Sequence, residues 1–218
     1  MKKKQEGLLT IQEKTALAVI VVFHLAGLIL LNWSSGILYA LTIDFVPINL
    51  ILTTLLVVKF QMEYSSRFWA FCGFAFICGF LVEMAGVNTG LIFGPYSYGE
   101  VLGPGLFGTP YIIGLNWFLL SYCALCLLDL FSWANWLKFL LACGLMVGLD
   151  YLIEPVAIRL HFWAWEDNMI PVQNYLGWAI LSAIIFTQPF LYSFKRKNRV
   201  AAIAFIVQVL FFLFQNII

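Results

Sequence analysis

Apolar residues in this chain do not alternate with polar ones at the period of an amphipathic helix or a half-buried strand. They come in seven long runs, 15–31, 37–58, 68–85, 109–130, 136–153, 175–194 and 200–217, separated by short polar or glycine-rich stretches. Each run approaches the ~20 residues that an α-helix needs to cross a hydrocarbon core. The pattern predicts an all-α, polytopic membrane protein of about seven transmembrane helices, with residues 1–218 forming a single integral membrane domain. Run one follows several lysines, as a signal peptide would, with Ser34 and Gly36 as small residues beyond it. It is longer than the apolar segment of such a leader, so a retained helix is expected.

One stretch breaks the rhythm. Residues 83–117, EMAGVNTGLIFGPYSYGEVLGPGLFGTPYIIGLNW, carry too much Gly and Pro for one helix, yet hold a single charge, Glu100, after Glu83. A solvated loop would be more polar, and an uncovered membrane segment would strand its backbone N–H and C=O groups. A re-entrant or surface-lying loop between spans three and four, packed on protein as the roof or wall of a binding site, is the remaining option.

Composition sharpens the class: 63% of residues are apolar, 17% aromatic and 11% charged, outside the range of soluble domains. The net charge of +1 gives no reason to expect a nucleic-acid partner; the lipid bilayer is the expected one. Placing the amino terminus in the cytoplasm puts Lys2, Lys3, Lys4, Lys14, Lys59, Arg67, Lys138, Lys195, Arg196, Lys197 and Arg199 inside and leaves only Arg159 outside. That bias supports a multi-pass protein of the cytoplasmic membrane. Of the acids, Glu6, Glu13, Glu63 and Asp129 fall inside, whereas Asp44, Glu83, Glu100, Asp150, Glu154, Glu166 and Asp167 gather in the outer half. The long loops, 86–108 and 155–174, are also outer.

An ionisable side chain at the centre of a span costs roughly 2.5–3.5 kcal/mol and is functional by default. Asp44, Glu83, Asp150 and Glu154 bear part of that cost. Asp150 and Glu154 are four apart, hence on one helix face. So close in a low dielectric they cannot easily both be ionised, and the pair offers a protonated acid beside a carboxylate. Bonding to the glycine-rich loop, or pairing with Arg159, would be a purely structural use of them. Pro155 is expected to end the helix there and put the pair at the outer mouth. Glu83 leads into Asn88, Thr89 and Gly90, so it is either functional or a loop anchor. Asp44, with Pro47 and Asn49 after it, marks a candidate broken span with a polar pocket. Tyr96, Tyr98, Trp117, Trp163 and Trp165 are headgroup-level residues by type; those not needed there could line a polyene or face a transient cation.

Absences narrow the chemistry. His24 and His161 are too few for a histidine-rich di-iron site, and His24 reads as a packing histidine. No dinucleotide fingerprint, P-loop, nucleophile elbow or Cys–His arrangement is present, and the last span has no lysine for a retinal Schiff base. Cys123 and Cys126 lie inside a span and read as core. No metal and no cofactor are therefore expected, and what remains is redox-neutral acid–base chemistry by carboxylates.

At these residues the sequence resembles the membrane carotenoid hydratases of the CruF type, the bisanhydrobacterioruberin hydratase-like family. The likeness runs through Glu83, Asn88, Thr89 and Gly90, then Phe93, Gly94, Tyr96 and Tyr98. It continues in Leu102, Gly103, Pro104, Gly108, Pro110 and Trp117, then Asp150, Glu154, Pro155 and Ala157, and ends with Trp163, Trp165, Asn174, Gly177 and Trp178. It covers about residues 83–178; the other spans contribute hydropathy alone. The resemblance implies addition of water to the terminal double bond of an acyclic (ψ) carotenoid end, as in γ-carotene or lycopene, giving a tertiary alcohol without a cofactor. On that footing Glu83, Asp150 and Glu154 share the catalytic acid and base roles. Asn88, Tyr96, Tyr98 and Asn174 orient water or the end group, and Asp44, Trp117, Trp163 and Trp165 complete the substrate site. The alternatives are a cyclase of the small lycopene-cyclase type, a pigment-binding protein without turnover, and a proton-coupled transporter.

Overall fold

The computed structural model describes residues 9–218 apart from residue 167; Lys2, Lys3, Lys4, Glu6 and Asp167, used in the charge pattern above, lie outside the described residues. Among the described residues there are eight helices: α1 (Ile11–Trp33), α2 (Gly36–Asp44), α3 (Val46–Lys59), α4 (Ser66–Thr89), α5 (Tyr111–Leu128), α6 (Asn135–Arg159), α7 (Val172–Leu191) and α8 (Arg199–Ile217). The protein is an all-α, polytopic membrane protein. Five helices, α1, α4, α5, α6 and α8, are long and apolar enough to cross a bilayer, and α2 with α3, bent by 42° at their break, makes a sixth. The seventh expected span, α7, is present as a 20-residue helix but falls short of that measure; Gln173, Asn174, Thr187 and Gln188 dilute its hydropathy. The break expected near Asp44 lies between α2 and α3, where Pro47 sits in the first turn of α3.

Local chemistry fixes the helix ends. Thr10 and Glu13 form a reciprocal capping box at the start of α1. Ser65 accepts from Phe68 N–H before α4, and Asn198 from Ala201 N–H before α8. α4 stops at Gly90, whose φ of +66° closes the last turn by an N–H···O bond to Gly86. α5 is apolar on every side, and 72% of its span is buried against 28–39% for the other four long helices. It is the centre of the bundle, as an all-round apolar helix must be.

Lipid tails give helices no hydrophobic reason to associate, so close approach and polar contacts have to. Gly79 of α4 lies under Trp117 of α5, where a Cβ would meet the indole at 2.5 Å, and a Cβ on Gly114 would meet the Phe76 carbonyl at 2.8 Å. At one end of the bundle Asp129 takes Arg196 (2.6 Å) and Lys138 (3.0 Å), Glu63 takes Lys195 (2.9 Å), and Arg67 donates to the Ser193 carbonyl. Arg159 lies at the opposite end, where it donates to the backbone and side chain of Gln215 at 2.8 and 2.5 Å.

That opposite end is roofed by the two long loops. Tyr96–Tyr98 (β1) pairs antiparallel with Trp163–Trp165 (β4), Tyr96 facing Trp165 and Tyr98 facing Trp163. A second ribbon joins Gly105–Leu106 (β2) to Thr109–Pro110 (β3). These short strands are absent from the sequence expectation; three alternating residues, YSY and WAW, are too few to show a period. The loop is pegged by Phe93, 1% exposed, whose ring lies between Gly86 of α4 and Gly177 of α7. A Cβ on either glycine would meet that ring at 2.6 Å. Gly177→Ala is therefore expected to unseat the peg and cost about 1–2 kcal/mol, read as a lower melting temperature in detergent with faster proteolysis within residues 91–109.

One expectation needs correction. Pro155 does not end its helix: α6 continues to Arg159 with Pro155 inside. Its missing N–H forfeits one backbone bond, but Val156 and Ala157 are buried in the bundle and the packed helix continues past it. Asp150 and Glu154 consequently lie more than a turn inside the helix end.

Candidate active site

Three buried carboxyl groups occupy the roofed end, and the elements that carry them explain their placing. Glu83 lies one turn beyond Gly79, so the indole that Gly79 admits can reach it: Trp117 Nε1–H donates to Glu83 Oε1 at 2.9 Å. The roof supplies the rest, with Tyr96 and Tyr98 hydroxyls donating to Glu83 Oε2 at 2.5 and 2.8 Å. In β1 these tyrosines are two apart and share one face of the ribbon. Burial, and after it the negative Glu83 carboxylate, push both phenols well above the usual tyrosine range, which keeps them protonated as donors.

Glu154 is held in the same manner from the other strand. Trp163 and Trp165 donate their indole N–H groups to Glu154 Oε2 at 3.0 and 2.8 Å, and Asn174 Nδ2 donates to Oε1 at 3.1 Å. The same amide nitrogen reaches Asp150 Oδ2 at 2.7 Å. Asn174 thereby bridges the two acids from the first turn of α7. Arg159 does not pair with them.

Asp150 is the odd member. It is 0% exposed, its only hydrogen-bond donor is Asn174, and its Oδ1 is buried with no hydrogen-bond partner among the described residues. Glu83 and Glu154 each collect three N–H or O–H donors, an arrangement that favours a carboxylate. Glu154 lies one helical turn from Asp150 and shares the Asn174 amide with it. Asp150 thus accepts from one donor where Glu83 and Glu154 each accept from three. Among the described residues no three His, Cys, Asp or Glu side chains converge closely enough to hold a metal ion.

Rings close the cluster. Trp178, one turn after Asn174 on α7, lies against Trp117 with centroids 4.2 Å apart. Tyr96 packs on Trp165 at 5.0 Å, and Tyr98 meets Trp163 edge-on at 5.9 Å. In the sequence Trp178 reads as an outer tryptophan at headgroup level and belongs to the family resemblance; its spacing from Asn174 on one helix face is the signal that ties it to the carboxyls.

Two candidates are not brought here. Asn88 is exposed and donates to the Met84 and Phe107 carbonyls at 2.7 and 2.9 Å, which makes it a tie between α4 and the roof. Asn88→Ala is expected to cost about 0.5–1.5 kcal/mol of stability and to leave turnover per folded molecule unchanged, measured as activity normalised to monodisperse protein. Asp44 is exposed at the α2–α3 break and has no hydrogen bond to the three carboxyls or their donors among the described residues.

Comparison with known proteins gives this geometry a context. A bisanhydrobacterioruberin hydratase of Haloarcula japonica is 32% identical over 128 residues, covering 54% of this chain and 42% of that protein. The match thus spans less than half the relative's length. No solved structure matches the chain. The family model described as carotenoid biosynthesis protein matches residues 45–218, a segment containing all three carboxyls and each of their aromatic and amide donors. The chain belongs to the carotenoid biosynthesis protein family.

Proposed function

We propose that this protein is a cofactor-independent carotenoid hydratase that adds water to the terminal trisubstituted double bond of an acyclic (ψ) carotenoid end. The observation that carries this reading is the unequal sharing of donors: the buried carboxyls of Glu83 and Glu154 accept from three donors each and that of Asp150 from one, and in this reading the proton of the cluster sits on Asp150. In the proposed reaction the alkene π electrons take the Asp150 proton, forming the new C–H bond and a tertiary carbocation. The Glu154 and Glu83 carboxylates offset that positive charge, and the fixed rings of Tyr96, Tyr98, Trp117, Trp163 and Trp165 surround it. Water bonds to the cation and passes a proton to Glu154, one helical turn from Asp150. Return of that proton to Asp150 restores the starting state, so the net change is one water added. Asn174 holds the two acids in register.

The same reading places the protein in the cytoplasmic membrane with its amino terminus inside, supported by Arg67, Lys138, Lys195 and Arg196 gathered at the end opposite the carboxyls. γ-Carotene or lycopene is the substrate proposed. Co-expression in a bacterium that accumulates these pigments tests it: a hydratase yields pigment heavier by one water, whereas cyclisation leaves the mass unchanged, and either unchanged pigment or an isomer of equal mass would overturn the assignment.

A further inference from the structure

Beside the carboxyl cluster lies a second feature that the reaction itself does not use. A cavity of about 430 Å³ runs between α1, the broken α2–α3 pair, α5 and α8, within the ~300–1,000 Å³ typical of ligand sites. Among the described residues no charged side chain lines it. Its walls include Gly27, Thr42, Phe45, Ile153, Trp163 and Phe211. Two of these connect it to the cluster: Ile153 precedes Glu154, and Trp163 is the residue whose indole N–H bonds Glu154.

The outer wall is thin. α2 has no buried residue, and its Ile37, Leu38 and Leu41 are 79, 47 and 48% exposed. It packs mainly on α1 and α3, and the 42° bend separates it from α3. A hydrophilic ligand would find no charge and few polar groups here, and would have to leave water for hydrocarbon to reach α2. A long hydrocarbon already resides on the far side of that wall.

We propose that this cavity holds the polyene chain of the substrate, which enters sideways from the bilayer past α2 and presents its end to the cluster across Trp163 and Ile153. This rests on the hydratase reading for what happens at the end of the chain, but not for where the chain lies. Two substitutions narrow the cavity. Gly27→Leu adds bulk where a first carbon is tolerated, the nearest atom being Phe211 Cε2 at 3.6 Å. Thr42→Trp does so from α2. Ile180→Trp, at a 62% exposed position of α7, controls for a bulky residue facing lipid, and Asp150→Asn separates binding from turnover.

The full-length protein and each variant, reconstituted in lipid nanodiscs with lycopene, are compared for pigment retained after gel filtration and for hydrated product. Wild type, Ile180→Trp and Asp150→Asn are expected to retain pigment equally, with Gly27→Leu and Thr42→Trp retaining about tenfold less. That pattern supports the cavity whether or not product forms; if no sample makes product, the cavity stands and the hydratase reading falls. Equal retention by the two narrowed variants when both are monodisperse, or no retention by wild type, overturns the proposal.

Discussion

Asp150→Asn is expected to lower water addition by about 10²–10⁴-fold, the contribution of a positioned general acid. Asparagine keeps the shape of the side chain and an oxygen for Asn174 to bond, so the Asn174 bridge at 2.7 Å survives while the transferable proton is lost. Burying an amide where the acid was leaves the fold intact, and the melting temperature in detergent should stay within a few degrees of wild type. The rate is to be measured on equal amounts of monodisperse protein with saturating carotene. A rate within about threefold of wild type would remove Asp150 from proton delivery, since even a weak general acid contributes more.

Glu83→Gln is expected to act on stability as much as on rate. Two carboxylate oxygens now accept Tyr96, Tyr98 and Trp117. An amide offers one acceptor and sets its NH₂ against at least one of these donors. Weakening bonds to a charged group, each worth ~1.5–3 kcal/mol, and stranding one buried donor should cost about 3 kcal/mol or more. For a chain of this size that corresponds to a fall in Tm of roughly 10 °C. The roof should loosen with it, because Glu83 is what β1 is hung from, and proteolysis within residues 91–109 should accelerate. An unchanged Tm would mean that the three donors are not spent on a carboxylate.

Much of this architecture is legible in the amino-acid sequence. The all-α membrane class, the break near Asp44, the covered loop after Glu83 and the Asp150–Glu154 face follow from run length, from Pro47, and from the cost of an acid in an apolar helix. What the chain hides is who donates to whom. Trp163 and Trp165 read as headgroup-level residues, because a three-residue strand has no detectable alternation; only its pairing with β1 turns both indoles, and both tyrosines, onto carboxylates. Asn88 misleads for a related reason, since its helix runs one turn further than the apolar run and ties it to the Phe107 carbonyl. Pro155 misleads because tertiary burial outweighs the loss of a single backbone bond. The cavity between α1, α3 and α8 joins residues nearly two hundred positions apart, which no local pattern can reveal.

The sharpest test of three carboxyls hydrating an alkene is the fate of solvent atoms. Purified protein in lipid, given lycopene in deuterated water and separately in water labelled with heavy oxygen, should place one deuterium on the carbon next to the new carbinol and the heavy oxygen in the hydroxyl, and Asp150→Asn should do neither. A product of unchanged mass, or a hydroxyl whose oxygen does not come from water, would contradict it.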